Sequence, residues 1–316
     1  MTQAISVIGA NNFASPPAVI KRFITIKIIL QTGSYSNSPA GSNIKTFTCN
    51  SEYANCNAIC NIQKKGLGFS GESANITIYG LNMDSIKDLT YLQTLSPLNL
   101  GQNYIEVYAG NEETDKDLPN FIYRGQIYEA KLSTNPASDN IAFTISSLSG
   151  GNSLNQYTQS TSIKGNATHQ TIIRNIVSKA EYGYTILFNL VNGYAKDIYL
   201  KGNWRDQLAV FCHKFRYKFR IDGANIYVAP ANKLLYKGKE TTISAKNVMQ
   251  GSPTGADRSI VVNTWYDSNL VYGQKIVLEA NQFSGKYIII GMGINIANND
   301  DAWDNQLTLM RYYGTE

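Results

Sequence analysis

Ile76-Thr77-Ile78-Tyr79-Gly80-Leu81, a short helical segment over Asp84–Leu95, then Tyr104-Ile105-Glu106-Val107-Tyr108-Ala109-Gly110 and Phe121-Ile122-Tyr123-Arg124-Gly125-Gln126-Ile127-Tyr128 form the stretch that decides the fold. Ile76 and Ile78 alternate with Thr77 and Tyr79, and Ile105 and Val107 with Glu106 and Tyr108. A two-residue period of this kind belongs to strands with one buried face. Ile86, Leu89, Leu92 and Leu95 recur at helical spacing, and Ser85-Ile86-Lys87-Asp88 has the form of a capping box. The stretch carries strands, one small helix able to plug a curled sheet, and no chemistry.

The same patterns extend in both directions. Phe23-Ile24-Thr25-Ile26-Lys27-Ile28-Ile29-Leu30, Ile44–Thr48 and Ala58–Lys64 read as strands before it, and Ile141-Ala142-Phe143-Thr144-Ile145-Ser146 as a strand after it. Gly125 divides a long bent strand, and Asn111–Pro119 reads as an acidic loop. Residues 1–20, with Pro16-Pro17, read as a loose arm, and Ser34–Asn43 as a polar loop. From Thr168 the pattern becomes helical, with Ile172, Ile173, Ile176, Val177 and Ala180 on one stripe. A second helix starts at Asn203 and carries Trp204, Leu208, Phe211, Cys212 and Phe215. Tyr217, Phe219 and Ile221 then alternate up to the turn signal Asp222-Gly223, and Ile226 and Val228 resume the alternation. Thr241–Val248, Ser259–Asn263, Lys275–Glu279, Lys286–Ala297 and Gln306–Arg311 return to strands, with a turn expected at Gln250–Gly255. Gly291 and Gly293 let the long apolar strand bend. The fold class is mainly β (α+β), with a mixed α/β module between two β regions.

Composition agrees. The chain has 316 residues, enough for about two domains, with 21 Tyr, 25 Gly and only 16% charged residues. Its net charge of +5 is small and scattered, unlike the concentrated basic face of a dedicated nucleic-acid binder. Phe23–Leu30, interrupted by Lys27, is too short to span a membrane, and residues 1–20 lack the pattern of a signal peptide. Synthesis and folding in a cytoplasm follow from this reading. Cys49, Cys56 and Cys60 lie close together and Cys212 far away; the spacing lacks CxxC pairs and no His is near. Small buried hydrophobes are the favoured reading of all four, over a metal site.

No catalytic, cofactor-binding or metal-ligating residues emerge. His169 and His213 form no metal-type pair and read as structural or surface residues. No Gly-x-Ser-x-Gly elbow or phosphate loop occurs. Gly66-Leu67-Gly68-Phe69-Ser70-Gly71 matches a dinucleotide fingerprint literally, but no helix opens directly behind it, so it reads as a turn. Asp300, Asp301 and Asp304 around Trp303 resemble a sugar-binding or calcium-binding loop, with a solvated turn the better reading. Tyr217, Lys218, Phe219 and Arg220 interleave bases and aromatics; alternation assigns the aromatics to a core and the bases to a solvated edge.

The order of these elements resembles the baseplate hub proteins of contractile-tailed bacteriophages, related to the N-terminal hub part of type VI secretion spikes. The resemblance rests on Arg22–Lys27, Ala74–Leu81, Leu89–Leu92, Ile105–Gly110, Ile122–Ile127, Ile163-Lys164-Gly165, the helix from Thr168, the Asp206-Gln207-Leu208 helix with its Asp222-Gly223 hairpin, Gln250–Thr254 and Gly273–Leu278. It implies an arm at 1–20, tail-tube-like β-barrels at 21–155 and 235–316, and a mixed module at 156–234. It further implies a homotrimeric, pseudo-hexameric ring without enzymatic activity or cofactor, sited in the virion baseplate around the DNA channel. Its implied partners are the tail tube or tube initiator, a central spike, other baseplate proteins, and phage DNA passing without sequence recognition. The sequence stops directly after its last strand, so the spike is expected as a separate chain. The cysteine cluster has no place in that pattern. A glycan-binding β protein using Tyr and Trp surfaces is the alternative, and an unrecognised hydrolase a third.

Overall fold

The computed structural model describes residues 21–30, 43–50, 56–66, 71–95, 103–111, 120–134, 141–149, 158–180, 183–236, 239–256, 258–280 and 282–313. The expected arm at 1–20, the Ser34–Asn43 loop except Asn43, and the acidic loop from 112 to 119 fall outside them.

Three groups of elements follow one another. The first comprises β1 (Arg22–Ile29), β2 (Ile44–Asn50), β3 (Asn57–Lys65), β4 (Ser73–Tyr79), α1 (Met83–Thr94), β5 (Tyr104–Asn111), β6 (Asn120–Thr134) and β7 (Ile141–Leu148). The second comprises β8 (Thr161–Thr168), α2 (His169–Val177), β9 (Thr185–Phe188), β10 (Tyr194–Leu200), α3 (Trp204–Lys214), β11 (Tyr217–Asp222) and β12 (Asn225–Pro230). The third comprises β13 (Thr241–Ser244), β14 (Met249–Ala256), β15 (Ser259–Trp265), β16 (Lys275–Glu279), β17 (Gly285–Ala297) and β18 (Trp303–Arg311). The chain is mainly β, as its alternating patterns predict.

The first and third groups share one 13-stranded sheet in the order β14-β15-β18-β17-β3-β4-β7-β6-β5-β1-β2, with β16 also on β17 and β13 on β16. Alternation sends Ile24, Ile26 and Ile28 of β1, Ile76 and Ile78 of β4, and Phe143 and Ile145 of β7 to one face, all fully buried. They join Ile289, Ile296, Leu307 and Leu309 in one continuous apolar core. The second group has its own core, in which Ile172, Ile173 and Ile176 of α2 meet Trp204, Leu208 and Phe211 of α3 over Ile226 and Val228 of β12. Thr168 and Asn203 cap these two helices, each accepting a bond from the backbone N–H three residues on.

Three local expectations are corrected. Helix α1 is capped by Asn82, whose Oδ1 accepts from the Ser85 N–H at 2.8 Å. Ser85 is therefore inside the first turn, and Asp88 instead takes Lys45 of β2 at 2.8 Å, tying helix to sheet. Gln250–Gly255, expected as a turn, lies within β14. Pro253 lacks an N–H, and a register shift between Gln250 and Thr254 absorbs it, which an edge strand tolerates. Cys49 and Cys56, expected as independent buried hydrophobes, are joined by a disulfide, whereas Cys60 and Cys212 are free and buried.

That disulfide links the end of β2 to the approach to β3, and Asn298, just past β17, reinforces the same corner. Asn298 is buried; its Oδ1 accepts from the Ala58 N–H at 2.7 Å and its Nδ2 donates to the Asn50 carbonyl at 3.2 Å. Removing one partner of a buried hydrogen bond leaves the other unsatisfied, a cost of about 1–3 kcal/mol per group. Asn298→Ala is therefore expected to destabilise the chain by at least about 1 kcal/mol in urea unfolding; an unchanged midpoint would contradict the bridging role.

Candidate assembly joint and strand edges

Among the described residues the first and third groups meet at one ladder. β3 and β17 pair antiparallel from Lys65 opposite Gly291 to Ile59 opposite Ala297. Alternation along β3 buries Ala58, Cys60 and Ile62 and turns Asn61 and Gln63 to the other face. Opposite Gln63 stands Gly293, where an added Cβ would come within 3.1 Å of the Gln63 amide, so the missing side chain lets Gln63 lie across the joint. β17 reaches this position because it outruns β16, which covers only its Gly285–Ile288 portion.

The middle group is clamped onto the joint by buried charge. Lys64 of β3 contacts Asp222 at 2.9 Å and Glu72 at 3.7 Å, and Arg220 contacts Glu72 at 3.1 Å. Arg220 also donates to the Gly66 carbonyl at 2.6 Å and stacks on Tyr272 at 3.7 Å, while the Gly223 N–H donates to Glu72 at 3.2 Å. Gly223 is needed at the hairpin tip twice over: its φ is +56°, and a Cβ would press on Phe121 at 2.6 Å. The expected solvated edge of β11 is thus wrong for Arg220, which is 3% exposed. β11 packs its aromatic face on its own module and its Arg220 against the large sheet. Sequence reading passed over Lys64 and Glu72 because both resemble ordinary surface charges until partners more than a hundred residues away enclose them.

Burial acts on every member. Glu72 is pushed up to about 8, first by burial and then by Asp222, against the pull of Lys64 and Arg220. Asp222 is held below the usual range because Lys64, a hydrogen bond with Glu72 and Arg220 outweigh its burial. Burial also opposes the charge on Lys64, but Asp222 and Glu72 overcome it and raise its pKa. The arrangement is a buried clamp in which Lys64 and Arg220 face Asp222 and a Glu72 carboxyl that holds its proton up to about pH 8.

The other residues singled out in the sequence make the following contacts. His169 packs among Phe211, Phe215 and Tyr217, with Nδ1 2.8 Å from the Tyr217 hydroxyl. His213 lies in the last turn of α3. Of the glycine-rich run, Gly66 and Gly71 flank residues 67–70, which lie outside the described ones. Asp300 and Asp301 occupy the β17–β18 turn, Asp304 accepts from Asn295 at 3.0 Å, and Trp303 is buried beneath Arg22. Among the described residues no cluster of three or more His, Cys, Asp or Glu is arranged for a metal, and no helix is long and apolar enough to cross a membrane.

What remains open is backbone. Among the described residues β14 pairs only with β15, β2 only with β1, and β13 only with β16. Strand edges present unpaired donors and acceptors that recruit other strands.

The clamp has a pH signature. Glu72 binds its proton more tightly in the folded chain than an ordinary glutamate, whose value is 4.5, so the stability it contributes is full below that value and is lost as pH rises toward about 8. Glu72→Gln mimics the protonated form. The melting temperature of this variant relative to the parent is expected to rise between about pH 4.5 and about pH 8; a difference independent of pH would contradict the shift.

Comparisons with known proteins agree with this geometry. A family model described as Baseplate hub gp41 matches residues 45–308. No curated protein matches the sequence. Among solved structures, the tail protein of Neisseria meningitidis MC58 superposes with a TM-score of 0.58 at 8% identity, covering 90% of this chain and 96% of that one. The 43 kDa tail protein of prophage MuSo2 from Shewanella oneidensis gives 0.57 at 9% identity, covering 92% and 97%. The E. coli c3393 protein, a type VI secretion component described as structurally similar to T4 tail proteins gp27 and gp5, gives 0.55 at 11% identity, covering 82% and 75%. With its family match spanning most of the sequence, the chain belongs to the baseplate hub gp41 family, structural components of the phage tail.

Proposed function

We propose that this protein is a non-enzymatic ring component of a phage baseplate, three copies forming a pseudo-hexameric hub between a hexameric tail tube and a trimeric central spike. In this reading residues 21–155 and 235–316 act as two tube-like barrel domains and 156–234 as the module that braces them. The observation that carries it is the β3–β17 ladder: two β units already stand side by side, edge to edge, within one chain. A ring made of such pairs doubles the number of tube-like units and so matches a six-fold tube to a three-fold spike. The ring encloses the DNA path, and a scattered net charge of +5 suits passage without sequence recognition. The protein is made in the host cytoplasm and works in the virion tail, in contact with tube, spike and other baseplate proteins.

Native mass spectrometry and negative-stain imaging of the full chain test the reading. Rings of three copies are expected at high concentration or on addition of the tube and spike proteins. A chain that stays monomeric under all these conditions contradicts it.

A further inference from the structure

The large sheet contains the same arrangement twice. The order β3-β4-β7-β6-β5-β1 in the first group is matched by β14-β15-β18-β17-β16-β13 in the third. The correspondence holds at single residues. β6 shifts register against β7 between Ile127 and Glu129, and β17 shifts against β18 between Ile289 and Gly291. Just before each shift the same backbone bond recurs: the Ile127 N–H donates to the Asn103 carbonyl at 2.9 Å, and the Ile289 N–H to the Gln274 carbonyl at 3.1 Å. Ile127 thus corresponds to Ile289, and Ser133 to Asn295. The copies differ in that β1 runs antiparallel to β5 while β13 runs parallel to β16, and β2 has no counterpart.

The repeat shows which edges are complementary. In the third group the half of β17 beyond its register shift passes the end of β16 and receives β3. The corresponding half of β6, from Glu129 to Thr134, lies beyond Gln126, where its pairing with β5 ends, and no described strand occupies that side. The counterpart of β3 is β14, whose outer side is likewise without a described strand. One chain therefore holds one completed joint and both separate halves of a second joint of the same kind.

We propose that β14 of one copy pairs antiparallel with Lys131–Thr134 of β6 in a second copy, in the register of the β3–β17 joint. This rests on the ring reading above and names the surfaces that close it. The register follows strand by strand. Asn61 of β3 is linked through Asn75 to Ser146, and Thr254 of β14 through Val261 to Thr308, the residue matching Ser146. Asn61 faces Asn295 across the existing joint, so Thr254 faces Ser133 across the new one. Both are exposed. The same alignment carries Arg258, at the tip of the β14–β15 hairpin, toward Glu129 of the partner. Such a contact is heterologous, joining different surfaces of the two copies, and closes into a ring when its rotation permits.

Full-length Thr254→Cys/Ser133→Cys protein, mildly oxidised, tests the pairing. Most chains should run as disulfide-linked dimers and trimers on a non-reducing gel, while each single variant stays unlinked; Cys60 and Cys212 are buried and Cys49 and Cys56 already bonded, so native thiols do not compete. A photo-crosslinking residue at Ser133 gives an independent reading, with its adduct expected in Met249–Ala256. Rings that fail to link at these positions, or that link instead in Thr254→Cys/Thr46→Cys protein through β2, overturn the pairing and leave the hub reading intact. A chain that forms no ring with tube and spike overturns both.

Discussion

The β3–β17 ladder is the constraint on which the rest of the molecule depends. A strand that ends a sheet exposes a row of backbone donors and acceptors, and in β3 and β17 those rows satisfy each other from Lys65–Gly291 to Ile59–Ala297. The ladder turns two groups of strands far apart in sequence into one sheet over one core. Several features then read as its support: the absent side chain at Gly293, the Asn298 bridge to Asn50 and Ala58, and the disulfide between Cys49 and Cys56.

The middle module depends on the same ladder. Lys64 lies within the joint, opposite Met292, and through Glu72, Asp222 and Arg220 it draws the β11–β12 hairpin onto the sheet. Buried ion pairs contribute little net stability, since desolvation offsets most of the attraction, but breaking one strands a buried charge. The contacts among Lys64, Glu72, Asp222 and Arg220 thus seat the hairpin at one place on the sheet.

Much of this was legible in the sequence. The two-residue alternation of Phe23–Leu30, Ile76–Tyr79 and Ile105–Tyr108 marks strands because one face of each is in the core, and Thr168 and Asn203 announce helices because capping is a local interaction. The ribbon β8–β10 is not legible as a ribbon because the inward positions of β8 include Thr161, Gly165 and Ala167, and a register shift between Lys196 and Ile198 breaks the alternation of β10. β14 was hidden because Gly251, Ser252 and Pro253 have turn chemistry, which an edge strand accepts since no described strand lies on one of its sides. Arg220 and Asn298 were illegible for another reason. Their roles are set by Glu72, 148 residues from Arg220, and by Ala58, 240 residues from Asn298, and no local pattern encodes such distances.

Amide hydrogen exchange, compared between the single chain and the assembled ring, tests the central claim most directly. The β3–β17 amides should be protected in both forms, while residues 254–256 and 131–134 gain protection only in the ring. A ring in which those two segments exchange as they do in the single chain would contradict the account.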